Sequence, residues 1–280
     1  MPSNLKNILH ISAKRGIIKR YRAISFAPTE NKNRKRIDMY FNDYIWFMLA
    51  ILACMIFSLV ASLKVKGAFA KHNKTRCRSG LTGYDVAARL LRAGGAHDIS
   101  IGKTRGELTD HYHPTNQIVN LSDSTYDSSS VAAVAVAAHE IGHVMQKKDG
   151  YWLYHIRTAL VPVANFGSFL AMPLVLIGLL LEYFMATTSE DIGFYVAMIG
   201  VAFYGASLLF ALATLPVELD ASRRAKKMLL GEHILTESEL PAAKEVLSAA
   251  ALTYLASLLT SLVYFLRFFV YVLTLFGRRD

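Results

Sequence analysis

Residues 134–148 read VAVAAHEIGHVMQKK. The run is built from small and apolar residues, yet its centre holds two histidines and a glutamate. On a helix His139 and His143, four apart, project from one face. Two neutral imidazole nitrogens so placed can bind one zinc ion at about 2.0–2.1 Å. Glu140, directly after the first histidine, can reach a zinc-bound water as general base without being a ligand. Ser128, Ser129 and Ser130 offer starts for this helix, and Lys147 and Lys148 suit its last turn. A chance His-Glu-His pentad is the plain alternative. Against it, the run is too short and too polar at its centre to cross a bilayer. A buried trio of this kind without a metal would also leave polar groups in need of partners.

A catalytic zinc keeps three protein ligands and one open position. No histidine follows at the spacing that would supply the third from the same stretch; His155 lies too far along. The candidate is Glu218 in LPVELDASRRAKK, residues 215–227, read as the first turn of a helix that Pro216 opens. An acid favoured there by the helix dipole is the plain reading of Glu218. Asp220 competes for the role but points to another face.

Around these motifs the chain is apolar. More than half of its 280 residues are hydrophobic, and the apolar residues gather into four runs of roughly 20 residues or more, enough to span a bilayer as helix. They cover residues 44–63, 158–181, 194–215 and 249–276. The first, YIWFMLAILACMIFSLVASL, carries no charge; the fourth contains Arg267 and is long enough to be tilted or broken. Gly167 and Gly178 in the second run suit close helix packing. The expected fold class is therefore mainly α, a multi-pass α-helical membrane protein in contact with the lipid bilayer. Its two cysteines, Cys54 and Cys77, do not suggest a structural disulfide.

The net charge of +10 does not point to nucleic acid, because ten of the basic residues precede residue 39 and no binding motif accompanies them. Residues 1–38 read as a disordered basic extension without a secretory signal. The polar segment 64–130 is expected to fold outside the lipid. Within it LTGYDVAARLLRAGG, residues 81–95, reads as a helix capped by Thr82 with Asp85 three residues on, stopped by Gly94 and Gly95. DISIG and QIVNLS read as short strands, with LTDHYHPTN, residues 108–116, as a loop before the second. The connection EYFMATTSEDI, residues 182–192, has three acids and no Lys or Arg. The positive-inside rule puts it outside and the zinc site on the cytoplasmic side of the cell membrane. Arg223 and Arg224 fit that face better than a substrate carboxylate. A basic extension outside the cell would break the same rule, so Met39 is an expected start of the working protein.

The strings AVAAHEIGHVMQ, VPVANFGSFLAMPL and TLPVELDASRRA, with RSGLTGYDVAARLL and LTDHYHPTNQIVNLS before them, resemble the YugP-type membrane zinc metallopeptidases, of the neutral zinc metallopeptidase family. The similarity runs from about residue 39 to the C-terminus. More distantly the chain is similar to HtpX-type and CAAX-prenyl membrane peptidases, whose E-x-x-A-D string completes the zinc site; here Ser222 stands at the aspartate position. The resemblance implies residues 39–280 as one gluzincin-like peptidase domain with a small α+β zincin-like catalytic portion. It also implies one Zn2+ on His139, His143 and Glu218, Glu140 as base, and a protein or peptide substrate. His111, in the loop before the second strand, is a candidate contact to substrate or to the oxyanion, weighed against a solvated loop histidine. The rival readings are a non-enzymatic scaffold or transporter accessory with structural zinc, and a hydrolase of lipidated substrates.

Overall fold

A computed structural model of the chain describes residues 42–184 and 192–276. The expectations for residues 1–38 and for Met39, and most of the acidic connection around Glu190 and Asp191, lie outside the described residues. The chain divides into two units, residues 1–52 and 53–280.

Helix α1 (Asn42–His72) runs nine residues past the uncharged stretch that starts it. Its end docks onto the rest of the second unit: Phe69 is fully buried with Ala132 and Val246. The Lys71 Nζ stands 2.9 Å from the Glu245 carboxylate, as does the His72 ring. The polar segment then folds as expected in outline. Helix α2 (Gly83–Ala93) starts in a capping box, in which Thr82 accepts from the Asp85 N–H and Asp85 accepts from the Thr82 N–H. The Thr82 hydroxyl, donating to the same carboxylate at 2.6 Å, and the Thr82 N–H hold the Asp85 carboxyl below its usual range. Past Gly94, Gly95 takes a φ of +62° that glycine adopts without strain.

Strands β1 (Ser100–Thr104), β2 (His111–His113) and β3 (Ile118–Ser122) form a sheet in the order β1-β3-β2. β1 runs parallel to β3, Ser100 opposite Ile118, and β2 runs antiparallel to it, Tyr112 opposite Val119. The loop expected over residues 108–116 thus contains a strand. Three residues before a proline give little period to read, and the pairing with β3 comes from outside the segment. After the short α3 (Asp123–Tyr126), Ser130 caps helix α4 (Val131–Lys148) by accepting from the Ala133 N–H. α4 is buried on almost every side. Its alanines let neighbours approach, and Val86, Leu90, Leu121, Ile141 and Leu229 close the core around it. Each of those large side chains contributes about 1.5–3 kcal/mol by leaving water.

Among the described residues three helices are long and apolar enough to cross a membrane: α1, α6 (Ile192–Gly231) and α7 (Leu240–Phe276). α5 (Trp152–Phe184) makes a fourth if its two arms, bent by 46° between Gly167 and Phe169, count as one span. Pro173 lies inside the second arm and a Gly-Ser pair lies at the break; both are known causes of kinks. The fourth apolar run is a single helix. Pro216, by contrast, opens nothing. α6 runs through it, 40 residues in all, so the helix expected to begin at Pro216 is the continuation of the third apolar run as far as Gly231. The missing N–H costs one hydrogen bond, and packing on both sides keeps the helix whole.

Along α5 and α6 the contact is made by backbone. A Cβ on Gly178 would lie 2.5 Å from the Ala197 nitrogen, and one on Gly200 would lie 2.8 Å from the Ala171 carbonyl. A Cβ on Gly167 would meet Phe203 at 3.1 Å. Cys54 and Cys77 are both free.

Candidate active site

α4 presents His139 and His143 on one face, with ring centroids 4.8 Å apart and nearly perpendicular. α6 brings Glu218 to them: its Oε2 stands 3.1 Å from His139 Nε2 and 3.4 Å from His143 Nε2. The approach depends on two small residues. A Cβ on Gly142 would lie 2.6 Å from the Ala221 carbonyl oxygen, so the HEIGH and ELDA strings touch main chain to main chain.

The outer nitrogens of both rings are held. Buried Gln146 donates its amide to the Val217 carbonyl at 2.8 Å and to Asp220 Oδ2 at 3.0 Å. Its Oε1 is thereby turned to His143 Nδ1, 2.9 Å away, which must donate. The lone pair of His143 is left on Nε2, facing Glu218. Ser222 Oγ stands 3.2 Å from His139 Nδ1, so the serine occupies the orienting position where the more distant pattern has aspartate. Asp220 faces away, bonded to Gln146 and to Arg224 Nε at 2.7 Å. Arg224 also pairs with Asp149, which gives it a structural task.

Three electron-pair donors therefore converge, with ligand atoms all within 4.8 Å of one another, and Glu218 is 2 % exposed. Without a cation or extra protons such an arrangement is repulsive. Two imidazole nitrogens and one carboxylate form the donor set that suits zinc and not magnesium or calcium, which take oxygen ligands. His139, His143 and Glu218 can hold one metal ion.

Glu140 lies beside this point, 8 % exposed. Burial pushes its carboxyl up to about 7, with the Glu218 and Asp110 carboxylates adding to the shift; His139 and a hydrogen bond from the Tyr112 N–H oppose it. Tyr112 belongs to β2, the outer strand of the sheet. Asp110, which accepts from the Ser122 N–H and Oγ at 2.8 Å each, fixes the approach to that strand. Lys147 Nζ donates to the Pro114 carbonyl at 2.7 Å and fixes its exit.

A cleft of about 490 Å³ opens on the pair, walled by β2 on one side and by α5 on the other. His111 lies on its exposed rim. There Nδ1 donates to the Thr109 carbonyl at 2.9 Å, and Nε2 accepts from Asn120 at 3.1 Å. Three cleft residues carried no local signal in the sequence. Arg157 Nη2 is 3.4 Å from Glu218 Oε1, while its buried Nε has no partner among the described residues. Tyr154 packs its ring 6.4 Å from that of His143. Tyr254, from α7, lines the cleft together with Glu218. Gln146 was readable, since a position three past His143 shares its helix face.

The family model described as "Putative neutral zinc metallopeptidase" matches residues 47–273. The relative "Putative membrane protease YugP" of Bacillus subtilis (strain 168) is 40% identical over 222 residues, which are 79% of this chain and 94% of the relative. No solved structure matches the chain. With a His-His-Glu metal group at its centre and the match running through nearly every described helix, the chain belongs to the neutral zinc metallopeptidase family.

Proposed function

We propose that the protein is an integral membrane endopeptidase of the cell membrane, with residues 39–280 as its peptidase domain. The observation that carries the reading is the convergence of His139, His143 and Glu218 beside a buried, unligated Glu140 at the floor of an open cleft. Zinc held there supplies Lewis acidity, lowering the pKa of water and polarising a carbonyl. Glu140 takes the proton of the attacking water and returns it to the leaving amine nitrogen. Gln146 and Ser222 hold the imidazoles in register. β2, an edge strand, offers main-chain groups along which an extended peptide can lie. His111, with both ring nitrogens engaged, serves at the substrate rim.

A structural zinc would be closed by four protein ligands; among the described residues three converge, and they face a cleft. Glu140→Gln tests the reading. The variant should keep one zinc per chain by elemental analysis and lose nearly all cleavage of a general protein substrate in detergent. Turnover comparable to the wild type would overturn the general-base role. We further propose that the site faces the cytoplasm, as the acidic 182–192 connection argues. A cysteine introduced at the exposed Lys66 should be labelled by an impermeant reagent only after cells are opened.

A further inference from the structure

A second cavity, about 330 Å³, lies on the far side of the reacting groups. His139, Glu140, Asp110 and Tyr254 line both it and the main cleft, so the two hollows meet across Glu140. Their walls differ. The main cleft is edged by His111, His113, Arg157 and Thr115. The second is walled mostly by Val65 of α1, Leu108, Val136 of α4, and Val246, Leu247 and Ala250 of α7, with Lys66 of α1 also at its wall. Its position along α1 and α7 is specific. Val65 lies two residues past the uncharged run that ends at residue 63, with Lys64 between, and Ala250 is the second residue of the apolar run 249–276. The pocket therefore sits where both spans leave the hydrocarbon. Just before it on α1, Met55, Ile56, Leu59, Val60 and Leu63 are all exposed on the helix surface.

We infer that this pocket is a specificity subsite, which takes a bulky aliphatic or aromatic side chain of the substrate residue next to the scissile bond, presented from the bilayer surface. A chain laid across Glu140 has one flank in the polar cleft and the other between α1 and α7. A small side chain on that second flank would leave the aliphatic walls unfilled. The substrate class that fits is a membrane-bordering peptide segment, polar on one side of the cut and apolar on the other. This inference rests on the peptidase reading, and the experiment separates the two.

Full-length protein in phospholipid nanodiscs would be given a peptide library, with cut sites read by mass spectrometry. Leu, Phe or Met should be favoured over Ala at one position beside the cut by about tenfold or more, the discrimination that a missing methylene or more produces in an apolar pocket. Ala250→Trp, which fills the pocket, should reduce the Leu-to-Ala ratio to about one. Val65→Asp, which places a carboxylate in its wall, should bring Lys and Arg into the cleaved set at that position, a gain that misfolding cannot imitate. An unchanged preference in both variants at wild-type zinc content overturns the inference, as does a wild type with no apolar preference or with a preference for acidic residues. Absence of any cleavage above the Glu140→Gln background sinks the peptidase reading and the subsite with it.

Discussion

Around α4 the protein is held by side chains: Val86, Leu90, Leu121, Ile141 and Leu229 interlock in a core that water has left. Between α5 and α6 it is held by their absence, with Gly178, Gly193 and Gly200 letting backbones come within reach of one another. The contrast follows from the solvent. In water, burying apolar side chains drives association, whereas lipid tails are as apolar as leucine, so close packing must do the work. The site is where the two regimes meet. Gly142 and Ala221 touch in the glycine manner, but they do so at the edge of the side-chain core, and each sits within a few residues of a ligand.

The largest expected effect tests whether the two regions contribute equally to the metal. Glu218→Ala, from the α6 side, should strip zinc as completely as His143→Ala, from the α4 side, by elemental analysis. If Glu218→Ala retained full zinc while Asp220→Ala lost it, the third ligand would be Asp220. Next comes Glu140→Gln, with zinc kept and the rate reduced about 10²–10⁴-fold, the usual share of a general base. Gly142→Ala and Gly178→Ala sharpen the comparison directly. Both force backbone apart at about 1–3 kcal/mol and should lower thermal stability, but only Gly142→Ala should also weaken zinc binding. Gly67→Ala, where an added Cβ meets nothing within 4 Å, is the matched control. Gln146→Leu frees the His143 ring and should cost about 10–100-fold in zinc affinity. Smallest is Thr82→Ala, about 1 kcal/mol of stability from the lost cap, measured by thermal melting, with zinc content unaltered.

How far the sequence could be read follows from the range over which each feature is determined. The HEIGH pentad, the Thr82–Asp85 box and the apolar runs are local patterns, and each is present in the structure. Strand β2 could not be read in this way, because His111–His113 becomes a strand only through β3. Pro216 misled for a related reason. A proline is weighed by its own cost, but α6 is stabilised by contacts with α4 and α5 that the local sequence does not display. Arg157 and Tyr254 join Glu218 in the cleft from helices that look like plain spans, so nothing near either residue marks it. Ser222 shows the converse. Its position within the ELDAS string was legible, and its distance to His139 Nδ1 shows that a hydroxyl stands where a carboxylate was the expected orienting group.

The contact between His139 and Glu218 joins positions 79 residues apart in the chain. An ion held there would act as a cross-link. It would close a long loop that contains all of α5 and most of α6, and a clip of that kind stabilises mainly by removing conformations from the unfolded chain, more so as the enclosed loop lengthens. Ligand affinity and folding free energy are then one quantity measured in two ways. The same ion that would activate a water would also keep a helix rooted in the membrane fastened to one rooted in the solvent-side core.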